Sequence, residues 1–182
     1  MWLTFAESLI RSESIRWVEY DDFSKDAATF VRRLAVDISH SYTLLDVHCH
    51  CHVHAAFAED WLTVQEATQR NWSLVARAGR LEASLYDRYV TLAVERVSVY
   101  PALLDEIAEQ LKTDKAEVAR SVRDRLRRTK TLNAFMRITG VVRESVVCHP
   151  SEGGGTQLVD LNEDCWRQIR QYLFLRDVKH PE

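Results

Sequence analysis

The chain has 182 residues, 46% of them hydrophobic, and its 24 Lys and Arg stand against 27 Asp and Glu for a net charge of −3. This length fits one domain or two small ones with a shared core, and the hydrophobic fraction with five Trp excludes an intrinsically disordered protein. The near-neutral average argues against a generally basic nucleic-acid-binding protein. No segment approaches the roughly 18 apolar residues of a membrane span, so no membrane association is expected.

The sequence indicates a cytoplasmic protein. Residues 1–14 contain neither the basic region nor the small-residue cleavage site of a secretory signal. The four cysteines stand at positions 49, 51, 148 and 165, and this uneven spacing does not resemble a disulfide framework. A reducing environment is therefore expected.

The N-terminal half is predicted to combine strands with helices, because apolar residues recur with period 2 in some segments and with period 3.6 in others. In chain order these are a strand at residues 15–20, a helix from an N-cap at Ser24 to about Ser39, an extended segment at residues 42–57, a helix from Asp60 or Thr63 to Gly79, and a helical stretch at residues 81–99 that ends before Pro101.

The C-terminal half is predicted to contain two short helices, a β-hairpin and a last helix. The second helix places Val118, Val122 and Leu126 on its inner face, at i, i+4 and i+8. In chain order the elements are helices at 103–111 and 115–128, strands at 137–149 and 156–161 around a Gly-rich turn, and a helix at 163–177 that Asn162 caps and that buries Trp166, Ile169, Leu173 and Leu175. The expected fold class is α+β, with an α/β N-terminal region over residues 1–100 and a second domain over residues 101–182.

Charge is distributed unevenly along the chain. Between Lys112 and Arg143, ten bases are accompanied by only three acids, which gives this stretch a net charge of +7. Because the total is −3, the other 150 residues carry −10. Such a split is typical of proteins that present a basic face to nucleic acid, although a solvated helix whose bases are offset elsewhere gives the same count.

Residues 103–128 have the pattern of two helices that pack across a short turn. Ala108 is a small residue midway along the first helix, where a second helix that crosses closely would need one, and Thr113 or Asp114 can cap the second helix. Apolar side chains on both helices can hold them together, namely Ile107, Leu111, Val118 and Val122.

With the predicted hairpin, this order of elements resembles the winged helix-turn-helix superfamily over about residues 98–161. The turn position that such proteins usually give to a left-handed glycine is Lys112 here. The resemblance implies that the second helix enters a major groove, while a wing tipped by residues 153–155 follows the backbone. The residues expected to contact nucleic acid are Lys115, Arg120, Ser121, Arg123, Arg127 and Arg128 on the helix and Arg143 on the wing.

The function expected from this resemblance is non-catalytic nucleic-acid binding, with double-stranded DNA as the partner. The protein would be a transcription regulator or a subunit of a nucleic-acid-processing complex, acting as a homodimer or inside a larger assembly. Winged helices also serve as protein-docking modules, so a structural subunit that binds no nucleic acid is the alternative.

A histidine-rich segment follows residue 44, with the sequence LLDVHCHCHVHAAF. As a strand, it places Val47, Cys49, Cys51 and Val53 on one face, and Asp46 with four histidines on the other. Alternate histidines on one face can chelate a divalent metal, zinc or nickel, so a metal site is considered at His48, His50, His52 and His54. A plain polar strand face turned to water or to a partner is the simpler interpretation.

The first part of this segment also resembles the opening of the metal-dependent hydrolases of the amidohydrolase and polymerase-and-histidinol-phosphatase type. In those families an apolar strand ends in Asp-x-His-x-His, which Asp46, His48 and His50 match. The resemblance implies a catalytic metal on the two histidines. These enzymes are larger barrels that need further ligands from later strands, and no repeated strand-helix pattern follows here, so an enzyme is the less favoured interpretation.

Overall fold

The computed structural model describes residues 2–20, 27–50, 57–144, 157 and 160–178. In chain order the elements are α1 (Trp2–Arg11), β1 (Trp17–Tyr20), α2 (Ala27–Asp37) with a 3₁₀ turn at Ile38–His40, β2 (Asp46–Cys49), α3 (Ala58–Ala78), α4 (Arg88–Val97), α5 (Pro101–Leu111), α6 (Lys115–Thr129), α7 (Leu132–Ile138), α8 (Glu163–Arg170) and a 3₁₀ turn at Leu175–Asp177. The protein is therefore mainly helical with a small sheet, in agreement with the predicted α+β class. No helix in this described part is both long and apolar enough to cross a bilayer.

The sheet consists of the two predicted strands, which pair in parallel from Trp17 opposite Asp46 to Tyr20 opposite Cys49. Parallel strands need a long crossover connection, and α2 lies within it. The predicted alternation is confirmed over β2, since Val47 is buried while Asp46 and His48 are exposed. The buried face of the sheet packs on α2, where the rings of Tyr20 and Phe30 stack with centroids 4.7 Å apart.

Helix α1 was not among the predicted elements, although it belongs to the core. Ala6 and Leu9 are almost completely buried in the same cluster as the sheet and α2. Their i, i+3 spacing was the available signal, and Ile10 packs beside them at i+4. Residues 2–11 therefore contribute a helical layer to the N-terminal core.

Helix α3 is long enough, at 21 residues, to take part in two hydrophobic clusters. Val64 and Ala67 pack with the sheet and α2, whereas Val75 and Ala78 pack with the helices that follow. Between the two clusters lies Asn71, which is fully buried. Its amide nitrogen donates to the carbonyls of Ser41 at 3.0 Å and Leu44 at 2.8 Å, and so fixes the loop that enters β2.

The second cluster joins the C-terminal part of α3 to α4, α5 and α6. Gly79 ends α3 as predicted, with its backbone N–H on the carbonyl of Val75. Helix α4 begins only at Arg88, because residues 80–87 form turns and the Asp87 side chain then caps the helix by accepting from the backbone N–H of Val90 at 3.1 Å. The cluster takes apolar residues from both sides of residue 100, among them Val90, Val94, Leu103 and Ile107.

The prediction of a strand that begins at Arg137 is wrong over residues 137–144. The β-branched residues of that stretch favoured a strand, but helix α7 already includes Arg137 and Ile138. Thr131 caps α7, its side chain accepting from the backbone N–H of Ala134, and the helix buries Ala134, Phe135 and Ile138 on one side. Residues 139–144 form turns, and the remainder of the predicted first strand, with its glycine tip, lies outside the described residues.

The last predicted helix is present but shorter than expected. Asn162 caps α8 as predicted, accepting from the backbone N–H of Cys165 at 2.8 Å, and Trp166 is buried. The chain turns after Arg170, so Ile169 and Leu173, which were expected to be buried, are 37% and 36% exposed. Leu175 is fully buried, as predicted, in a third cluster with α7 and Trp166.

We expect Asn71→Ala to lower the free energy of unfolding by about 2–3 kcal/mol, because two carbonyls lose a buried donor and the vacated space is not filled. Urea denaturation of the two proteins measures the difference. Gln69→Ala, at an exposed position of the same helix, is the control and should change stability by less than about 0.5 kcal/mol. Equal effects of the two substitutions would contradict this role of Asn71.

Candidate nucleic-acid interface

Helices α5 and α6 are consecutive helices joined by a short turn that backbone hydrogen bonds define. The backbone N–H of Thr113 donates to the carbonyl of Ala108 at 3.0 Å, and that of Lys112 donates to the carbonyl of Glu109 at 3.2 Å. This pair of bonds is the Schellman motif, in which the residue after the helix is left-handed. Lys112 has φ 51° and ψ 43°, and it is the one non-glycine residue with positive φ in the described part of the chain.

The left-handed position predicted from the sequence is therefore confirmed at Lys112. A lysine accepts this conformation at a cost of roughly 1–2 kcal/mol, which glycine would avoid. After the turn, Asp114 begins α6 as its N-cap, because its carboxylate accepts from the backbone N–H of Ala116 at 2.7 Å. The two helices are thus joined by a turn of three residues.

Apolar contacts hold the two helices against each other and against α3 and α4. Ile107, Val118 and Val122 are at most 1% exposed, and Ala108 is buried at the crossing, as predicted. Leu111, which was expected to join them, is 43% exposed. It stands at the last residue of α5, where the chain has already begun to turn away from the core.

The outer face of α6 carries a row of arginines, formed by Arg120, Arg123 and Arg127. All three are exposed, whereas Val118 and Val122 on the opposite side are buried. The row follows from helical geometry, since positions i, i+3 and i+7 share one face. This arginine row brings together three of the residues predicted to contact nucleic acid.

Two bases of α6, one of them in the arginine row, are paired with acidic side chains. Asp124 accepts a hydrogen bond from Arg127 at 3.2 Å, but both side chains are more than half exposed, so the pair is weak and can exchange its partner. Lys115 is engaged differently, because its ammonium lies 2.5 Å from the carboxylate of Asp105 on α5. Lys115 therefore also ties the start of α6 to the preceding helix.

The other predicted contact residues lie apart from the row. Ser121 is half-buried and lines a cleft beside residues 79–83, on another side of α6. Arg128 is exposed on α6 next to the arginine row, and Arg143 is exposed in the turns that follow α7. Arg143 is thus not on a strand within the described residues.

Arg125 is a base of α6 that the protein uses internally. The side chain is buried, and its guanidinium donates to the backbone carbonyls of Leu81, Ala83 and Ser84. Burial lowers the pKa of Arg125, since the charged form is desolvated, while Asp87 acts in the opposite direction. One of the ten bases counted in the sequence thus holds the α3–α4 loop against α6.

The histidine face lies on the exposed side of the sheet, far along the chain from α6. His50 and Glu19 form a hydrogen bond of 2.7 Å between Nε2 and Oε1, and the rings of His48 and His50 meet edge to face with centroids 4.6 Å apart. His52 and His54 lie outside the described residues. Within those that the structure describes, no group of three or more His, Cys, Asp or Glu has an arrangement that could hold a metal.

Glu19 and Arg125 are two residues whose roles the sequence analysis missed. The polar position of Glu19 in β1 was visible, but its neighbour depends on the register of the parallel strands, which no local pattern gives. For Arg125, the signal was its place at i+3 from Val122, on the edge of the apolar stripe of α6.

Comparisons of the chain with protein-family models, with curated proteins and with solved structures find no match. The geometry and charge of the molecule are therefore the basis on which a function is proposed.

We expect Arg125→Met to lower the free energy of unfolding by about 2–4 kcal/mol, since three backbone carbonyls lose their charged donor. Arg123→Met, on the exposed face of the same helix, should change it by less than about 0.5 kcal/mol. Urea denaturation of both variants makes the comparison. A loss for Arg125→Met that is no larger than that for Arg123→Met would contradict the assignment.

We also expect His50→Ala to raise the pKa of Glu19. The hydrogen bond from His50 and the charge of its ring hold the pKa of this carboxyl below its ordinary value. The pair therefore stabilises the fold at pH values above the ordinary pKa of a Glu side chain. This contribution disappears as the pH falls through the lowered pKa of Glu19. Carbon-detected NMR titration of the Glu19 carboxyl measures the change. His40→Ala is the control, and an unchanged Glu19 titration in His50→Ala would refute the coupling.

Proposed function

We propose that the protein binds nucleic acid without catalysis, with double-stranded DNA as its partner, through the outer face of α6. It would act as a transcription regulator or as a subunit of a nucleic-acid-processing complex, as a homodimer or within a larger assembly, in the cytoplasm. The observation that carries the proposal is the arginine row on the exposed face of α6, the second of two helices that a short turn joins.

The shape of the α5–α6 pair supports this function. In helix-turn-helix proteins the second helix lies in the major groove, and the first crosses the backbone. Here the second helix turns Val118 and Val122 inward and leaves the opposite face open to solvent. A helix can enter a groove only if such a face is not covered by the rest of the protein.

The chemistry of the arginine row supports it as well. Guanidinium groups bind phosphate in pairs of parallel hydrogen bonds and bind guanine at O6 and N7. No carboxylate among the described residues lies within 4 Å of the Arg120 or Arg123 guanidinium, and Arg127 has only the exposed Asp124. The row therefore loses little bonding within the protein when it contacts phosphates or bases.

The distribution of charge is a further reason to propose a DNA duplex, and not a protein, as the partner. Arg128 is exposed near the end of the same helix and extends the basic surface beyond the arginine row. Arg143, exposed after α7, is proposed as a further phosphate contact even though it does not stand on a described strand. The winged module expected from the sequence stays a prediction, because the glycine tip proposed at residues 153–155 lies outside the described residues.

The test compares a triple variant, with Arg120, Arg123 and Arg127 each replaced by Gln, with the unmodified protein. Anisotropy of a fluorescent 30-base-pair duplex is measured across 50–300 mM salt. We expect the variant to bind more than tenfold more weakly, with a salt slope smaller by about 2–3, because each phosphate contact contributes about 0.9 to that slope.

The matched control replaces Arg11, Arg32 and Arg77 by Gln on α1, α2 and α3, which removes the same charge elsewhere. It should keep the affinity and the salt slope. Equal loss in both variants would show that the arginine row has no special part. Failure of the unmodified protein to bind duplex, single-stranded DNA or RNA at 50 mM salt would overturn nucleic-acid binding and favour a protein-docking module.

A further inference from the structure

A cavity of about 500 Å³ opens between α4, the C-terminal end of α6 and the segment that follows α8. Its wall is mostly apolar, with Leu92 and Val99 on one side, Leu126 on another and Phe174 on the third. This volume lies in the range of pockets that bind small organic molecules. A cavity with such walls favours the apolar body of a ligand over water.

Three basic residues, Arg96, Lys130 and Arg170, stand among the polar residues that line the cavity. Lys130 and Arg96 line it, and neither has a carboxylate within 4 Å among the described residues. The guanidinium of Arg96 is held over the ring of Tyr42, 4.2 Å from its centroid, so it is ordered without being neutralised. A ligand in this space therefore lies beside two basic residues as well as the apolar wall.

Each of the other polar residues of the wall makes at least one hydrogen bond within the protein, and the side-chain nitrogen of Gln171 donates to Gln168 at 2.9 Å. Glu95, the acid of the wall, is 2.9 Å from the guanidinium of Arg170, and this pair is largely shielded from solvent. The hydroxyl of Ser98 donates to the carbonyl of Glu95 at 2.8 Å, and that of Thr129 donates to the carbonyl of Leu126 at 2.9 Å. The positive charge of Lys130 and Arg96 is thus left to be matched by a ligand.

We propose that this cavity binds a small organic acid, with its apolar body against Leu126 and Phe174 and its carboxylate beside Lys130 and Arg96. Arg170, a third basic residue of the wall, is bound to Glu95 and to the carbonyl of Leu173, so the ligand's charge is left to the other two. The site is distinct from the arginine row, and its binding of an acid does not rest on the proposed nucleic-acid function.

The experiment measures the binding of two probes of equal length, decanoate and decanol, by calorimetry on the full chain. The acid should bind with one-to-one stoichiometry and at least tenfold more tightly than the alcohol, because only the acid meets the two cations. No saturable binding of either probe at 1 mM would overturn the proposal, and equal affinities would overturn its anionic specificity.

Two variants locate the binding. Lys130→Gln should weaken decanoate about tenfold and leave decanol unchanged, whereas Val99→Trp, which fills the mouth of the cavity from an exposed position, should weaken both probes at least tenfold. Arg80→Gln, an exposed charge away from the cavity, is the control and should bind as the unmodified protein does. Unchanged binding in both cavity variants would place the probe elsewhere and refute this site.

Discussion

The burial of one side of α6 against α3, α4 and α5 is the constraint on which the rest of this molecule depends. Val118 and Val122 are nearly inaccessible, and the hydrophobic free energy of such residues is about 1.5–3 kcal/mol each. Because a helix has a fixed period, this burial also decides which residues are exposed. The position of the arginine row is thus a consequence of core packing, and no separate interaction is needed to orient it.

Arginine has a second role in this protein, as a donor to backbone carbonyls in loops. Arg70 binds the carbonyls of Ser39 and Ser41, Arg88 binds those of Leu175 and Val178, and Arg125 binds three carbonyls before α4. A planar guanidinium with five N–H groups suits this use, because loop carbonyls lack partners within a helix or sheet. A count of arginines in the sequence therefore overstates the charge available to an external partner.

Much of the fold could be predicted from the sequence where a local pattern controls it. The parity of β2, the break at Gly79 and the left-handed Lys112 all depend on neighbours a few residues away. Arg137 and Ile138 show the limit, since their β-branched surroundings favoured a strand while a cap at Thr131 and the burial of Phe135 made a helix. The cavity and the Glu19–His50 contact join distant segments, so their residues could be proposed only once the packing was known.

The indole of Trp166 joins the C-terminal region to the end of α6 by a hydrogen bond. Its Nε1 donates to the carbonyl of Lys130, 2.9 Å away, at the residue directly after that helix. The Schellman turn at Lys112 fixes the other end. Helix α6 is therefore held at both of its ends. This bond therefore places residues 160–178 among the groups that fix where the end of α6, next to Arg127, lies.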